Sequence, residues 1–142
     1  MPLHMSRQER EEFLAGLHVG VFSVASQDGG GPLTVPVWYA YSPGGTVNVS
    51  TGRDSRKAAA IVAAGRFSLC AQDERPPYKY VTAEGPVAIE EATQDERREL
   101  ARRYLGPEDG DAYIADNPGN DEIMLRMTPE RWHTADYGKL FS

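Results

Sequence analysis

The sequence has no second cysteine, no excess of positive charge and no long apolar run, and each absence removes a class of function. With Cys70 alone, no internal disulfide can form. Lying in the run Phe67-Ser68-Leu69-Cys70-Ala71, this residue is expected to be a buried, inert thiol rather than a nucleophile. A net charge of −6 argues against wholesale binding to nucleic acid or to an anionic membrane. No segment approaches about 18 consecutive apolar residues, and Met1 to Ser6 contain no apolar signal core. Cytoplasmic residence is the resulting expectation. The three histidines, His4, His18 and His133, lack the close spacing of zinc motifs, so no metal site is expected. There is also no Gly-x-Ser-x-Gly elbow, no Walker loop and no Gly-x-Gly-x-x-Gly fingerprint.

What remains is a chain of 142 residues, 40% hydrophobic and 25% charged, which is long enough to bury a core without staples. It contains no repeat, linker or low-complexity tract, and residues 1–142 are expected to form a single domain. Ser6 and Glu9 have capping-box spacing and predict a helix with Phe13, Leu14 and Leu17 on one face, ending near Gly16 or Gly20. Strands are expected over Val19–Ala25, Leu33–Tyr41 and Thr46–Ser50, separated by the glycine-rich turns 26–31 and 42–45. Pro36 cannot donate to a ladder, which puts the second strand at an edge or gives it a bulge. Arg56 to Ala64 is alanine-rich and helix-favouring, with Ser55 or Asp54 as N-cap and Gly65 beyond its end. Further strands are expected over Arg66–Gln72, Tyr78–Ile89 (interrupted near Gly85), Glu122–Thr128 and part of Arg131–Leu140. Thr93 and Glu96 open another capped helix, stopped by Gly106-Pro107. Pro107 to Glu122, with six acidic residues and no basic one, reads as a solvated loop with at most a short helix. The expected fold is mainly β (α+β): an antiparallel barrel of six or seven strands with short flanking helices.

One segment stands apart chemically. Ser50-Thr51-Gly52-Arg53-Asp54-Ser55-Arg56-Lys57 runs from a strand end into a helix start, and residues 51–66 carry a local excess of three positive charges. A helix start has free N–H groups and partial positive charge, so it attracts phosphate or carboxylate. Hydroxyls from Ser50, Thr51 and Ser55 would add neutral donors, and arginine grips phosphate through paired hydrogen bonds. Cations at a helix start oppose the dipole, a conflict that a bound anion removes. Just before this segment, Val35-Pro36-Val37-Trp38-Tyr39 sends Trp38 and Tyr39 to opposite faces, one for the core and one for a groove. A ring-bearing ligand with a phosphorylated tail suits this combination.

The order Pro36-Val37-Trp38-Tyr39, a glycine-containing hairpin, a Val-x-Val-Ser-Thr strand, then Arg-x-Ser-Arg-Lys and an alanine-rich helix resembles the pyridoxamine 5′-phosphate oxidase-like split β-barrel family. Within it, the pattern looks most like the flavin- and deazaflavin-dependent oxidoreductases. The resemblance implies a homodimer with cofactor sites in the interface clefts. It puts Ser50, Thr51, Ser55, Arg56 and Lys57, with Arg53 close by, at the cofactor phosphate, and Pro36, Val37 and Trp38 beside the cofactor ring. Trp132 and Lys139 are candidates to close the site from the other subunit. The tail from Arg131 to Lys139 does not reproduce the arginine- and histidine-rich substrate motif of the true pyridoxamine-phosphate oxidases.

The implied activity is F420-dependent hydride transfer to a small organic substrate. An FMN-dependent oxidase or reductase is the first alternative. A non-catalytic cofactor- or ligand-binding protein is the second, and a barrel with an empty groove the third. Since the cofactor carries the chemistry, no side chain is named as catalytic, and a substrate proton could come from Tyr39, Tyr80 or water.

Overall fold

The computed structural model describes residues 3–119 and 121–141. Its strands are β1 (Gly20–Val24), β2 (Leu33–Val37), β3 (Val47–Gly52), β4 (Arg66–Asp73), β5 (Lys79–Glu91), β6 (Glu122–Met127) and β7 (Arg131–Asp136). The helices are α1 (Arg7–Ala15), α2 (Arg56–Ala64), α3 (Gln94–Leu105) and α4 (Pro107–Asp116), followed by a 3-10 turn at Tyr137–Phe141. The seven strands form one curled antiparallel sheet in the order β2-β1-β4-β5-β6-β3, with β7 also paired to β5. The architecture is therefore mainly β within an α+β chain, as a half-open barrel.

Strand alternation builds the interior. Phe22, Val24, Val47, Val49, Phe67, Leu69, Ala71, Val81 and Ala83 are all buried, and the residues between them face outward. α1 adds fully buried Leu14 to this core, and α2 contributes Ala58, Ala60 and Ile61. Fully burying a side chain the size of Leu14 or Ile61 stabilises the fold by about 1.5–3 kcal/mol. Both capping boxes form: Ser6 Oγ accepts from Glu9 N at 3.1 Å, and Thr93 Oγ1 from Glu96 N at the same distance. Ser55, not Asp54, caps α2, and Gly65 ends it.

The long strand β5 is continuous where an interruption was expected. Residues 79–86 pair with β4, and 79–84 also with β7; from Val87 onward the partner is β6. Gly85 sits at this exchange, where a Cβ would collide with the Thr128 carbonyl, so only glycine lets the two backbones approach.

Four other expectations change. The second strand stops at Val37, and residues beyond it reach β3 only through the bridge Ala40–Asn48. Leu17 lies past the end of α1 and is 61% exposed, because the helix stops at Gly16. Cys70 is half-buried on the outer face of β4, since the inward positions are Phe67, Leu69 and Ala71. The acidic segment, finally, holds a ten-residue helix, α4. Pro107 occupies its first turn, and Glu108 and Asp109 there favour the dipole. Gly110 packs against the backbone of Arg102, and Asp111 pairs with that arginine at 2.6 Å. Among the described residues no helix is long and apolar enough to cross a membrane.

Candidate functional site

β2 and β3 are the two outer strands of the curled sheet, and the candidate site lies where they come together. Val47, Val49 and Thr51 of β3 point into the core, which turns Ser50 to the other side. After Gly52 the chain turns through the loop into α2. Ser55 N donates to Gly52 O at 3.0 Å, and the Ser55 hydroxyl accepts from Ala58 N at 3.1 Å. Thr51, buried at 6% exposure, shares a 2.8 Å hydrogen bond with the Ser55 hydroxyl. These two hydroxyls thus shape the loop.

Ser50 and Lys57, from β3 and the first turn of α2, line a cavity of about 150 Å³ with Val37 and Trp38 from the end of β2. Leu100 and Arg97 of α3, Tyr113 and Ile114 of α4, and Glu122 of β6 complete its walls. An open, apolar shelf of about 380 Å³ adjoins it, sharing Val37, Trp38 and Tyr113 and adding Val19 and Pro36. Trp38 is held rigidly between the two. Its ring stacks on Tyr104 at 5.3 Å and 6°, and meets Tyr113 at 5.4 Å and 59°. The Tyr104 hydroxyl donates to His18 O at 2.6 Å and accepts from Tyr39 N at 3.1 Å, which fixes the stack.

The sequence-predicted residues therefore divide. Val37, Trp38, Ser50 and Lys57 converge on one cavity, Pro36 lines the shelf, and Thr51 and Ser55 build the loop between them. Arg56 is exposed at the start of α2, outside the cavity walls. Arg53 turns away to Asp121, at 2.7 Å, and to Glu91. The hydrogen bonds to Glu91 and then Asp121 raise its already high pKa further, so its charge is engaged at the sheet edge.

Neither candidate proton donor lines the cavity. Tyr39 is fully buried and donates to Leu14 O at 2.6 Å. Burial above all, and then the Tyr104 hydroxyl, pushes its phenol well above the ordinary range. Tyr80 lies on β5, opposite Ala135 of β7. In this chain Trp132 sits beneath the Arg10 guanidinium, 4.6 Å from the ring centroid, and Lys139 pairs with Glu9 at 2.9 Å. No cluster of three metal-ligating side chains exists among the described residues.

Sequence reading missed Arg97, Tyr113 and Glu122. Arg97 is buried, at 7% exposure, and donates to Asn117 O at 2.8 Å, Pro118 O at 2.7 Å and Gln94 Oε1 at 2.9 Å. It thereby pins the segment joining α4 to β6. Only Tyr113 had a visible signal: an aromatic inside an acidic run.

The donor set suits a phosphorylated group. Ser50 Oγ is buried without a hydrogen-bond partner, Lys57 has no ion pair among the described residues, and α2 has no acid in its first turn. An anion here would engage all three.

Comparison with known proteins bears on the family and the fold. Residues 6–136 match the family model for pyridoxamine 5′-phosphate oxidase. No curated protein matches the chain. A conserved hypothetical protein of Mycobacterium tuberculosis superposes with a TM-score of 0.79 at 24% identity, covering 99% of this chain and 90% of that one. A protein described as an F420 reductase gives 0.71 at 21% identity, with 87% and 94% covered. An FAD-binding protein of Mesorhizobium loti gives 0.65 at 17% identity, with 92% of each chain covered. At these identities the structural likenesses speak for the fold.

Proposed function

The chain belongs to the pyridoxamine 5′-phosphate oxidase family, and from that premise we propose that it is an oxidoreductase using a flavin-type cofactor, F420 in preference to FMN, on a small organic substrate. The observation that carries this reading is the convergence of Val37, Trp38, Ser50 and Lys57 on one cavity at the start of α2. A bound cofactor of this type would supply the hydride chemistry, leaving the protein to bind, orient and exclude water.

The chain's own residues divide that work. The Ser50 hydroxyl donates to a phosphate oxygen, and the Lys57 ammonium and the free N–H groups of α2 offset its charge. Pro36, Val37 and Trp38 form an apolar wall for the ring. Because Tyr104 holds Trp38 from behind, that wall is fixed before anything binds, which lowers the ordering cost of association. Arg56, outside the cavity, is available to a further anionic group; F420 carries a phosphodiester and an acidic tail, whereas FMN ends at one phosphate. This supports F420 over FMN.

The reading includes a homodimer. Ligand sites generally enclose about 300–1,000 Å³, more than the 150 Å³ found within one chain, while the adjoining shelf lies open. A second copy laid over the shelf would enclose the ring and exclude water.

Calorimetric titration of the cofactor-free protein with F420 and, separately, with FMN tests the assignment. Preferential micromolar binding of F420 is expected. Preference for FMN would transfer the chain to the flavin-using branch, and binding of neither would remove the case for an enzyme. Sedimentation velocity should give the mass of a dimer; a monomer at micromolar concentration would overturn that part.

A further inference from the structure

Two residues lining the cavity each carry a buried side-chain oxygen without a hydrogen-bond partner: Ser50 Oγ and Glu122 Oε2. In the β3–β6 ladder Ser50 faces Met124 and Gly52 faces Glu122. Ser50 and Glu122 are therefore diagonal neighbours on one face, positions roughly 7–8 Å apart. Glu122 Oε2 lies close to Gly52: a Cβ on that glycine would be in van der Waals contact with it, at 3.9 Å. The other carboxylate oxygen, Oε1, lies 3.7 Å from Arg97 Nε, so the group is held on one side and bare on the other.

An ionised carboxylate can only accept hydrogen bonds. Its free oxygen repels phosphate and calls for an N–H or O–H on the occupant. An ammonium there would be a third cation beside Arg97 and Lys57, which disfavours an amine and leaves a hydroxyl. The cavity thus combines an anion-binding end, made by Ser50, Lys57 and the start of α2, with an acceptor a short distance along the same face.

We propose that Glu122 is a specificity-determining residue: its Oε2 accepts a hydrogen bond from a hydroxyl of the chain that carries the phosphate, so the cavity selects a polyol phosphate over phosphate alone. The proposal rests on the phosphate reading of this cavity and adds the group that distinguishes one phosphorylated ligand from another.

Calorimetry of the cofactor-free protein with inorganic phosphate and with ribitol 5-phosphate tests it. Wild type should prefer ribitol 5-phosphate by about tenfold or more, the scale of a hydrogen bond to a charged group. In Glu122→Ala the preference should fall to within about twofold, with phosphate itself bound no more weakly. Glu122→Gln keeps an acceptor without the charge and should lose at least about threefold of the preference. Far-ultraviolet circular dichroism checks that each variant folds; should the alanine variant fail to, the glutamine variant decides. Equal affinities in wild type, or an undiminished preference in the folded variants, would overturn the proposal. FMN and F420 titrations run alongside separate the two levels. Ribitol 5-phosphate selection without cofactor binding sinks the oxidoreductase reading alone, and cofactor binding without that selection sinks the Glu122 role alone.

Discussion

The four helices begin in two different ways. α1 and α3 carry complete capping boxes, and each has acidic residues in its first turn: Glu9 in α1, Asp95 and Glu96 in α3. α4 has no side-chain cap, yet Glu108 and Asp109 still face its positive end. α2 is the exception: it has a Ser55 cap, but Arg56 and Lys57 open it with no acid in the first turn, whereas α1, which also opens on a cation, Arg7, carries Glu9 there. Three helices offset their dipoles with acids of their own first turn, while α2 has none; in the proposed site a bound anion would take that place. On the proposed function, it is this unfavourable local arrangement at α2, more than positive charge alone, that a bound anion would relieve.

The largest expected effect comes from removing the cations that set α2 apart. Arg56→Ala/Lys57→Ala should weaken cofactor binding by several kcal/mol, each charge-assisted contact being worth about 1.5–3 kcal/mol. Of the single variants, Lys57→Ala should lose more FMN affinity than Arg56→Ala, because only Lys57 lines the cavity; calorimetry showing the reverse order would break the comparison. Loss of a cap comes next. Thr93→Ala and Ser55→Ala should each destabilise the ligand-free protein by about 1 kcal/mol, read from urea denaturation, but only Ser55→Ala should also weaken phosphate binding.

A smaller effect has opposite signs in its two readouts. Arg56→Glu places an acid at the start of α2 and should stabilise the ligand-free protein by about 0.3–1 kcal/mol, while F420 affinity falls. A loss on both counts would mean that the dipole does not govern this helix start. The smallest effect concerns α1. The Ser6 backbone N–H, and then Lys139, hold the Glu9 carboxyl at about 2, well below its usual value near 4.5. With the folded pKa depressed, its contribution is present above the unfolded value and is lost as pH falls from about 4.5 towards 2. Melting temperature should therefore drop less between pH 5 and pH 3 in Glu9→Gln than in wild type.

Legibility in the sequence followed the range of the interactions. The caps at Ser6 and Thr93, the edge placement of Pro36 and the helix after Ser55 are local effects, and the structure has them where spacing put them. The cavity was half legible for the same reason: Val37, Trp38, Ser50 and Lys57 lie within one contiguous stretch. Its other wall was not. Arg97 sits among other charged residues of α3, and only folding pairs it with the carbonyls of Asn117 and Pro118. Glu122 ends an acidic run whose composition suggests solvent, until the β3–β6 register sets it diagonally from Ser50. Arg53 erred the other way: its neighbours in sequence pointed to phosphate, but Asp121 and Glu91 claim it.

The site also lies in the seam of the barrel. Val37 ends one outer strand, with Trp38 next after it, Ser50 comes from the other, and beyond the Ala40–Asn48 bridge no ladder joins β2 to β3 among the described residues. A ligand held by both strands would act as a rivet across the gap. Outer strands exchange their amide hydrogens through the most local openings, so occupancy should slow exchange in β2 and β3 together while leaving residues 79–84 of β5, laddered to both β4 and β7, as slow as before. The barrel would then be closed by its cargo rather than by its own hydrogen bonds.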